Sequence, residues 1–233
     1  MMRDDVRYVD TVSRPDFFAG IPTEKQADIL GRGHRTLFKS GETLFRKSDP
    51  ALKCYLLLNG RLKLSMLHEQ GKEAIIRYID PGELTAAIAV FKGKEYPVTA
   101  EAVGAVEVVA WDRETILKLM LEYAPLAVNI LRAVIDRLHE LQSRYLELYT
   151  EQVERRVARA LLRIMRKSGH KTDEGILIDF RLSRQELADY TGTTLYTVSR
   201  TLSSWERSNW IKSRRERITV TDPHALVTLA EKG

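Results

Sequence analysis

The chain has one cysteine, Cys54, among its 233 residues. A lone thiol cannot close an internal disulfide, and it cannot supply the several thiolates an iron–sulfur cluster needs, so no such cluster is held by the chain's own cysteines. No run of about 18 apolar residues occurs, and the opening stretch MMRDDVRYVD carries no apolar signal segment. The cytoplasm is therefore the expected compartment, with no membrane partner. Enzyme signatures are missing too. There is no glycine-rich phosphate loop ahead of a helix, no His-Glu-x-x-His pattern and no nucleophile elbow. The chain is not expected to be an enzyme.

What is present is a globular composition, 44% apolar and 30% charged, in a length that allows one large or two modest domains. The formal charge is +5, and it is unevenly placed. Cut near Thr150, the first 150 residues hold 21 basic and 21 acidic side chains, while residues 151–233 hold 16 basic and 11 acidic. A neutral body with a basic end suits a polyanion partner.

From about His34 to Val109 the sequence reads as short strands punctuated by Gly41, Gly60, Gly71, Gly82 and Gly93, with runs such as Arg61 to Met66 and Ala74 to Ile79 between them. Regular turns between such runs predict an antiparallel roll or barrel. Ahead of it, Pro22-Thr23-Glu24 is a helix-start signal, with Ile29 and Leu30 on the buried face. Asp112 is a candidate N-cap for a short helix that leads to Pro125 and a longer one. In that longer helix Ala127, Leu131, Val134, Leu138, Leu141, Tyr145 and Leu148 are spaced 4, 3, 4, 3, 4, 3, a heptad seam of about three repeats. Such a seam is most simply buried against its own copy in a parallel homodimer. Val128, Ile130 and Ile135 lie off the seam and are expected to face the roll.

Residues 181–211 predict two helices about a tight turn. Ser183 and Glu186 form a capping box for the first, Leu187 and Ala188 give its apolar face, and Gly192 gives the turn its permissive backbone. Thr194 can cap the second helix, where Val198, Leu202 and Trp205 at i, i+4 and i+7 face inward and Tyr196, Ser199 and Arg200 point out. This is helix-turn-helix spacing. A major groove about 12 Å wide admits one helix, and an arginine in its N-terminal half can reach guanine O6 and N7 together. Tyr196, Ser199 and Arg200 are the expected base-reading residues, Arg200 foremost. Trp210 to Lys212, a turn at Ser213 to Glu216 and Arg217 to Val220 read as a basic β-hairpin. Lys212, Arg214, Arg215 and Arg217 there, with Arg184, Thr194 and Thr197, are the expected phosphate contacts.

On these residues the chain resembles the cyclic-AMP receptor protein and fumarate-nitrate reduction regulator family of bacterial transcription factors, from Phe17 to Leu229. Leu182 to Ile211 is the most specific stretch, and Gly41, Gly60 and Gly82 match the family's turn glycines. The resemblance implies an α+β fold in three parts: N-terminal helices and a cyclic-nucleotide-binding-like jelly roll over 1–124, a dimerisation helix over 125–150 and a winged helix-turn-helix over 151–233. It also implies a pseudo-palindromic DNA operator, RNA polymerase as a partner, and control by population shift between two states. A jelly roll can host a metal-dependent oxygenase, but His34 and His68 lack the evident partners of a facial triad.

Two departures from the family pattern matter. Where nucleotide-binding members carry a Gly-Glu-Leu and later an Arg-Ser, alignment through Phe91 puts Ala86-Ala87-Ile88 and Tyr96-Pro97, and Gly82-Glu83-Leu84 lies four residues too early. Without that arginine, and with Pro97 lacking an N–H, no tight cyclic-AMP binding is expected. The expected effector pocket is apolar: Ala86, Ala87, Ile88, Val90, Phe91, Tyr96, Pro97 and Val98, backed by the long helix. That lining resembles nitric-oxide-responsive members, some of which hold haem, so haem is a candidate cofactor with His139, His68, His34, Cys54 or Met66 as axial ligand. In the reading helix Ser199 and Arg200 match the fumarate-nitrate type, but Tyr196 replaces the usual Glu, so the half-site leans towards TTGA. The alternative is an effector-independent DNA-binding protein or adaptor with a vestigial roll.

Overall fold

The computed structural model describes residues 17–67, 73–178, 180–214 and 216–231, so Gly71, His68 and Arg215 lie outside the described residues. These residues fall into two compact units, one ending at Glu140 and the other beginning at Leu141.

In the first unit Pro22, whose fixed φ suits a helix start, opens α1 (Thr23–Gly31), and Ile29 is its buried residue. The roll follows: β1 (His34–Phe38), β2 (Thr43–Phe45), β3 (Lys53–Leu67), β4 (Glu73–Ile79), β5 (Leu84–Thr85) and β6 (Thr99–Asp112), with α2 (Ala87–Lys92) inserted before β6. All pairings are antiparallel in the order β1-β6-β3-β4, with β2 on β6 and β5 on β3. Strands as long as β3 and β6 would splay if left flat; register shifts at Asn59 and its neighbours bend them. Gly60 is obligatory at that bend, since its φ is +83° and a Cβ would run into the Ala105 carbonyl. Inward residues such as Leu56, Leu57, Leu62, Val108 and Trp111 make the core, each large side chain contributing roughly 1.5–3 kcal/mol of burial. Trp111 keeps its polar handle satisfied by donating Nε1–H to the Ile29 carbonyl at 3.0 Å, which ties α1 to β6. The Asp112 side chain accepts from the Thr115 amide and caps α3 (Arg113–Glu122).

The long helix α4 (Ala124–Thr150) packs on the roll through Leu126, Asn129 and Ile130. Ile130 faces the roll as expected, but Val128 and Ile135 do not: both are exposed. At 100° per residue, Val128 points some 200° away from Leu126, so helix geometry puts it with Leu131 on the open side. The exposed apolar stripe is consequently broader than the seam, comprising Val128, Leu131, Ile135, Leu138, Leu141, Tyr145 and Leu148.

In the second unit α5 (Val153–Ser168) buries Val157, Ala158, Leu161 and Ile164 on one face and carries half-buried arginines beside it. A four-stranded sheet of β7 (Gly169–Thr172), β8 (Gly175–Ile178), β9 (Ile211–Arg214) and β10 (Arg217–Val220) runs in the order β7-β8-β10-β9. Between its halves come α6 (Arg184–Thr191) and α7 (Leu195–Arg207), and α8 (Pro223–Glu231) closes the unit. The wing turn is tighter than the sequence suggests. Ser213 pairs with Ile218 and Arg214 with Arg217, so Ser213 and Arg214 belong to β9, and Glu216 precedes β10 at φ +63°.

Candidate nucleic-acid interface and sensor cavity

The reading head is built from its caps. Ser183 accepts from the Glu186 amide at 3.1 Å while the Glu186 carboxylate accepts from the Ser183 amide at 2.8 Å, so the capping box is complete. Gly192 ends α6 at φ +64°, and Thr194 starts α7 by accepting from the Thr197 amide at 3.2 Å. Val198, Leu202 and Trp205 are fully buried, with Trp205 Nε1–H donating to Glu154 on α5 at 3.1 Å. With that face fixed, Tyr196 is 75% exposed, Arg200 is exposed and Ser199 and Thr197 are half-buried beside them. Leu195 is exposed on the same helix.

The cationic set is less uniform than its composition. Arg184 lies 3.6 Å from Glu206 and Lys212 lies 3.2 Å from Glu174, so both begin with an acidic partner. Arg214 and Arg217 stand exposed side by side on β9 and β10. Arg156, which spacing alone does not single out, points its guanidinium at the Thr191 and Gly192 carbonyls that end α6.

The last turns of α4 belong to this unit. Arg144 donates to the Tyr190 carbonyl at 3.0 Å and stacks over the Tyr190 ring at 4.4 Å. Buried Glu147 accepts from Arg163 at 2.7 Å and pairs with Arg159 at 3.8 Å. Leu148 lies where a Cβ on Gly192 would come within 3.3 Å of it. Leu131, Leu138, Leu141, Tyr145 and Leu148 are exposed and Val134 is half-buried.

In the first unit a cavity of about 250 Å³ lies between the roll and α4. Ala86, Ala87, Ile88, Tyr96, Pro97 and Val98 line it; Phe91 and Val90 do not, being packed into the core instead. Phe45, Leu64 and Ile76 also line it, from strands far apart in sequence, as do Ala133 and Val134 from α4. The lining is not wholly apolar. Arg77, Glu83, Asn129 and Arg137 reach it, and the Gly82-Glu83-Leu84 string forms part of its wall. Glu83 is engaged by Arg77 in a buried ion pair, and Asn129 donates to the Phe17 and Ala19 carbonyls at 3.3 and 2.8 Å. Tyr96 stacks on Phe45 at 4.1 Å and donates its hydroxyl to the Lys53 carbonyl at 2.7 Å.

The residues present do not fit a cyclic nucleotide. The aligned positions offer alanine methyls, a proline without an N–H and a tyrosine whose hydroxyl is already used. Nor do they fit haem. None of the described candidate axial ligands lines the cavity: His34 and His139 are exposed on the surface, Met66 lies elsewhere on β3, and Cys54 is fully buried with its Sγ–H directed at the Trp111 carbonyl 3.6 Å away. Among the described residues no group of three or more His, Cys, Asp or Glu is placed to hold a metal ion.

Comparison with known proteins follows the same division. Residues 35–123 match the model for the cyclic nucleotide-binding domain, and residues 155–229 match that for the Crp-like helix-turn-helix domain. The chain is 30% identical to the global nitrogen regulator of Synechococcus elongatus over 84% of its length and 91% of the relative's. It is also 30% identical to the cyclic AMP receptor protein of Thermus thermophilus, over 79% and 82%. The solved structure of FixK2 from Bradyrhizobium japonicum superposes with a TM-score of 0.75 at 22% identity, covering 86% of this chain and 98% of that one, which shows the fold. The chain belongs to the cyclic-AMP receptor protein and fumarate-nitrate reduction regulator family, as a transcription regulator with a helix-turn-helix DNA-binding domain.

Proposed function

We propose that this chain acts as a cytoplasmic homodimer that reads a pseudo-palindromic operator with Tyr196, Ser199 and Arg200, and that a small effector other than cyclic AMP sets its DNA-binding state. The observation that carries the reading is the sidedness of α7: Val198, Leu202 and Trp205 are buried, which leaves Tyr196 and Arg200 projecting from a capped helix. Lys212, Arg214 and Arg217 of the wing, with Arg184, Thr194 and Thr197, take phosphates, and Arg215 joins them from sequence position alone. Phosphate contacts fix position and base contacts carry sequence. The exposed apolar stripe of α4 supports self-pairing over 125–150, between a sensor part over 1–124 and a reading part over 151–233. RNA polymerase is the further partner that family membership suggests.

The Thermus relative is named for cyclic AMP, yet the anchor positions here hold Ala87, Tyr96 and Pro97, so that ligand does not carry over. The half-site leans towards TTGA, with Tyr196 weakening the position that a Glu would fix through cytosine N4.

Selection of bound sequences from a random duplex pool tests this. A two-fold symmetric site is expected, and Arg200→Ala should cost about 1–3 kcal/mol and relax one base position in each half. Equal weakening on every sequence would instead make Arg200 a phosphate contact and remove the reading.

A further inference from the structure

The cavity between the roll and α4 has used nearly all of its polar lining. Arg77 and Glu83 satisfy each other, the Asn129 amide serves two backbone carbonyls, and the Tyr96 hydroxyl serves another. Arg137 is different. Its side chain is 15% exposed, and its Nη1 is buried with no hydrogen-bond partner among the described residues. Glu140 lies 3.2 Å from that nitrogen, but off the N–H direction, so the contact balances charge without accepting a hydrogen bond. A buried guanidinium N–H without an acceptor is costly, and a cavity wall is where a ligand can supply one.

From this we infer that the cavity binds a small monocarboxylate with an apolar body, its carboxylate gripped by Arg137 and its body seated among Phe45, Leu64, Ile76, Ala133 and Val134. The planar fork of arginine matches a carboxylate, and a charge-assisted hydrogen bond is about twice as strong as a neutral one. A doubly charged phosphate is disfavoured because Glu83 and Glu140 already stand close by. Size sets the body: an apolar cavity of about 150 Å³ takes benzene, so one of about 250 Å³ takes about ten non-hydrogen atoms. The inference deepens the effector-controlled reading above and rests on it for its biological sense.

Calorimetry on the full chain, with octanoate and 4-methylbenzoate against their neutral amides, tests it. At least one carboxylate should bind at millimolar or lower concentration, with its amide about tenfold weaker or worse. Arg137→Met should lose at least about tenfold for the carboxylate and nothing for the amide, Arg137→Lys should fall between, and Arg132→Met on the exposed side should match the parent. Failure of both carboxylates, equal binding of acid and amide, or full affinity in Arg137→Met would each overturn the inference; melting curves of the Arg137 variants identify any that have not folded, and Arg137→Lys together with the acid–amide comparison then decides. Duplex binding measured on the same protein with and without the carboxylate separates the two claims. Its absence in both states with carboxylate binding intact removes the regulator reading alone, and duplex binding without any carboxylate binding removes only the carboxylate.

Discussion

Cys54 is fully buried on β3, and burial pushes its thiol up to about 12. The thiolate is the reactive form, so alkylation of the folded protein at pH 8 should run at least about 100-fold slower than of the urea-unfolded chain. A rate within tenfold of the unfolded one would show that the β3 and β6 layer opens readily. The folded state holds its proton where the unfolded state releases it, so this contribution to stability is fully present below the unfolded thiol's pKa of about 8.5 and is lost as pH rises towards 12. Cys54 is thus a small hydrophobe of the roll core, whereas Arg200 stands exposed six residues after the Thr194 cap.

At the scale of elements, the end of α4 is fastened to the reading head by charge in a nearly dry place. Glu147 is the acceptor that keeps Arg163, itself largely buried, in partnership. Glu147→Ala leaves that guanidinium buried and unpaired and should cost about 3–5 kcal/mol in urea unfolding. A loss below about 1 kcal/mol would mean that water reaches Arg163. The α6 and α7 pair was open to reading from sequence because caps, turn glycine and inward spacing are all local, and each falls where it was expected. The cavity was only partly legible. Its α2 side lies in one continuous segment, but Phe45, Leu64 and Ile76 reach it from three strands, and Arg137 belongs to no heptad seam, so neither period nor motif points to it. Val128 and Ile135 depart from the seam-based expectation because a side chain outside a seam can lie on either side of it; only the packing of Leu126, Asn129 and Ile130 decides which. The wing turn is shorter than its residues suggest because Ser213 and Arg214 are polar enough to pass for loop, while cross-strand pairing makes them strand.

For the whole molecule the decisive quantity is valency. Leu138 is 53% exposed, so Leu138→Glu should keep the parent's circular dichroism spectrum while the proposed dimer becomes a monomer by sedimentation. Duplex affinity should then fall by about 10²–10⁴-fold, as linked binding of two half-sites is lost. A monomeric parent, or a variant that keeps full affinity, would separate DNA reading from self-pairing. The wing carries a last consequence. Arg214 and Arg217 face each other across β9 and β10, and like charges directly opposite strain a hairpin. A phosphate oxygen settling between the two guanidinium groups would turn that mutual repulsion into a pincer, so the same pair that loosens the free hairpin tightens it on a polyanion.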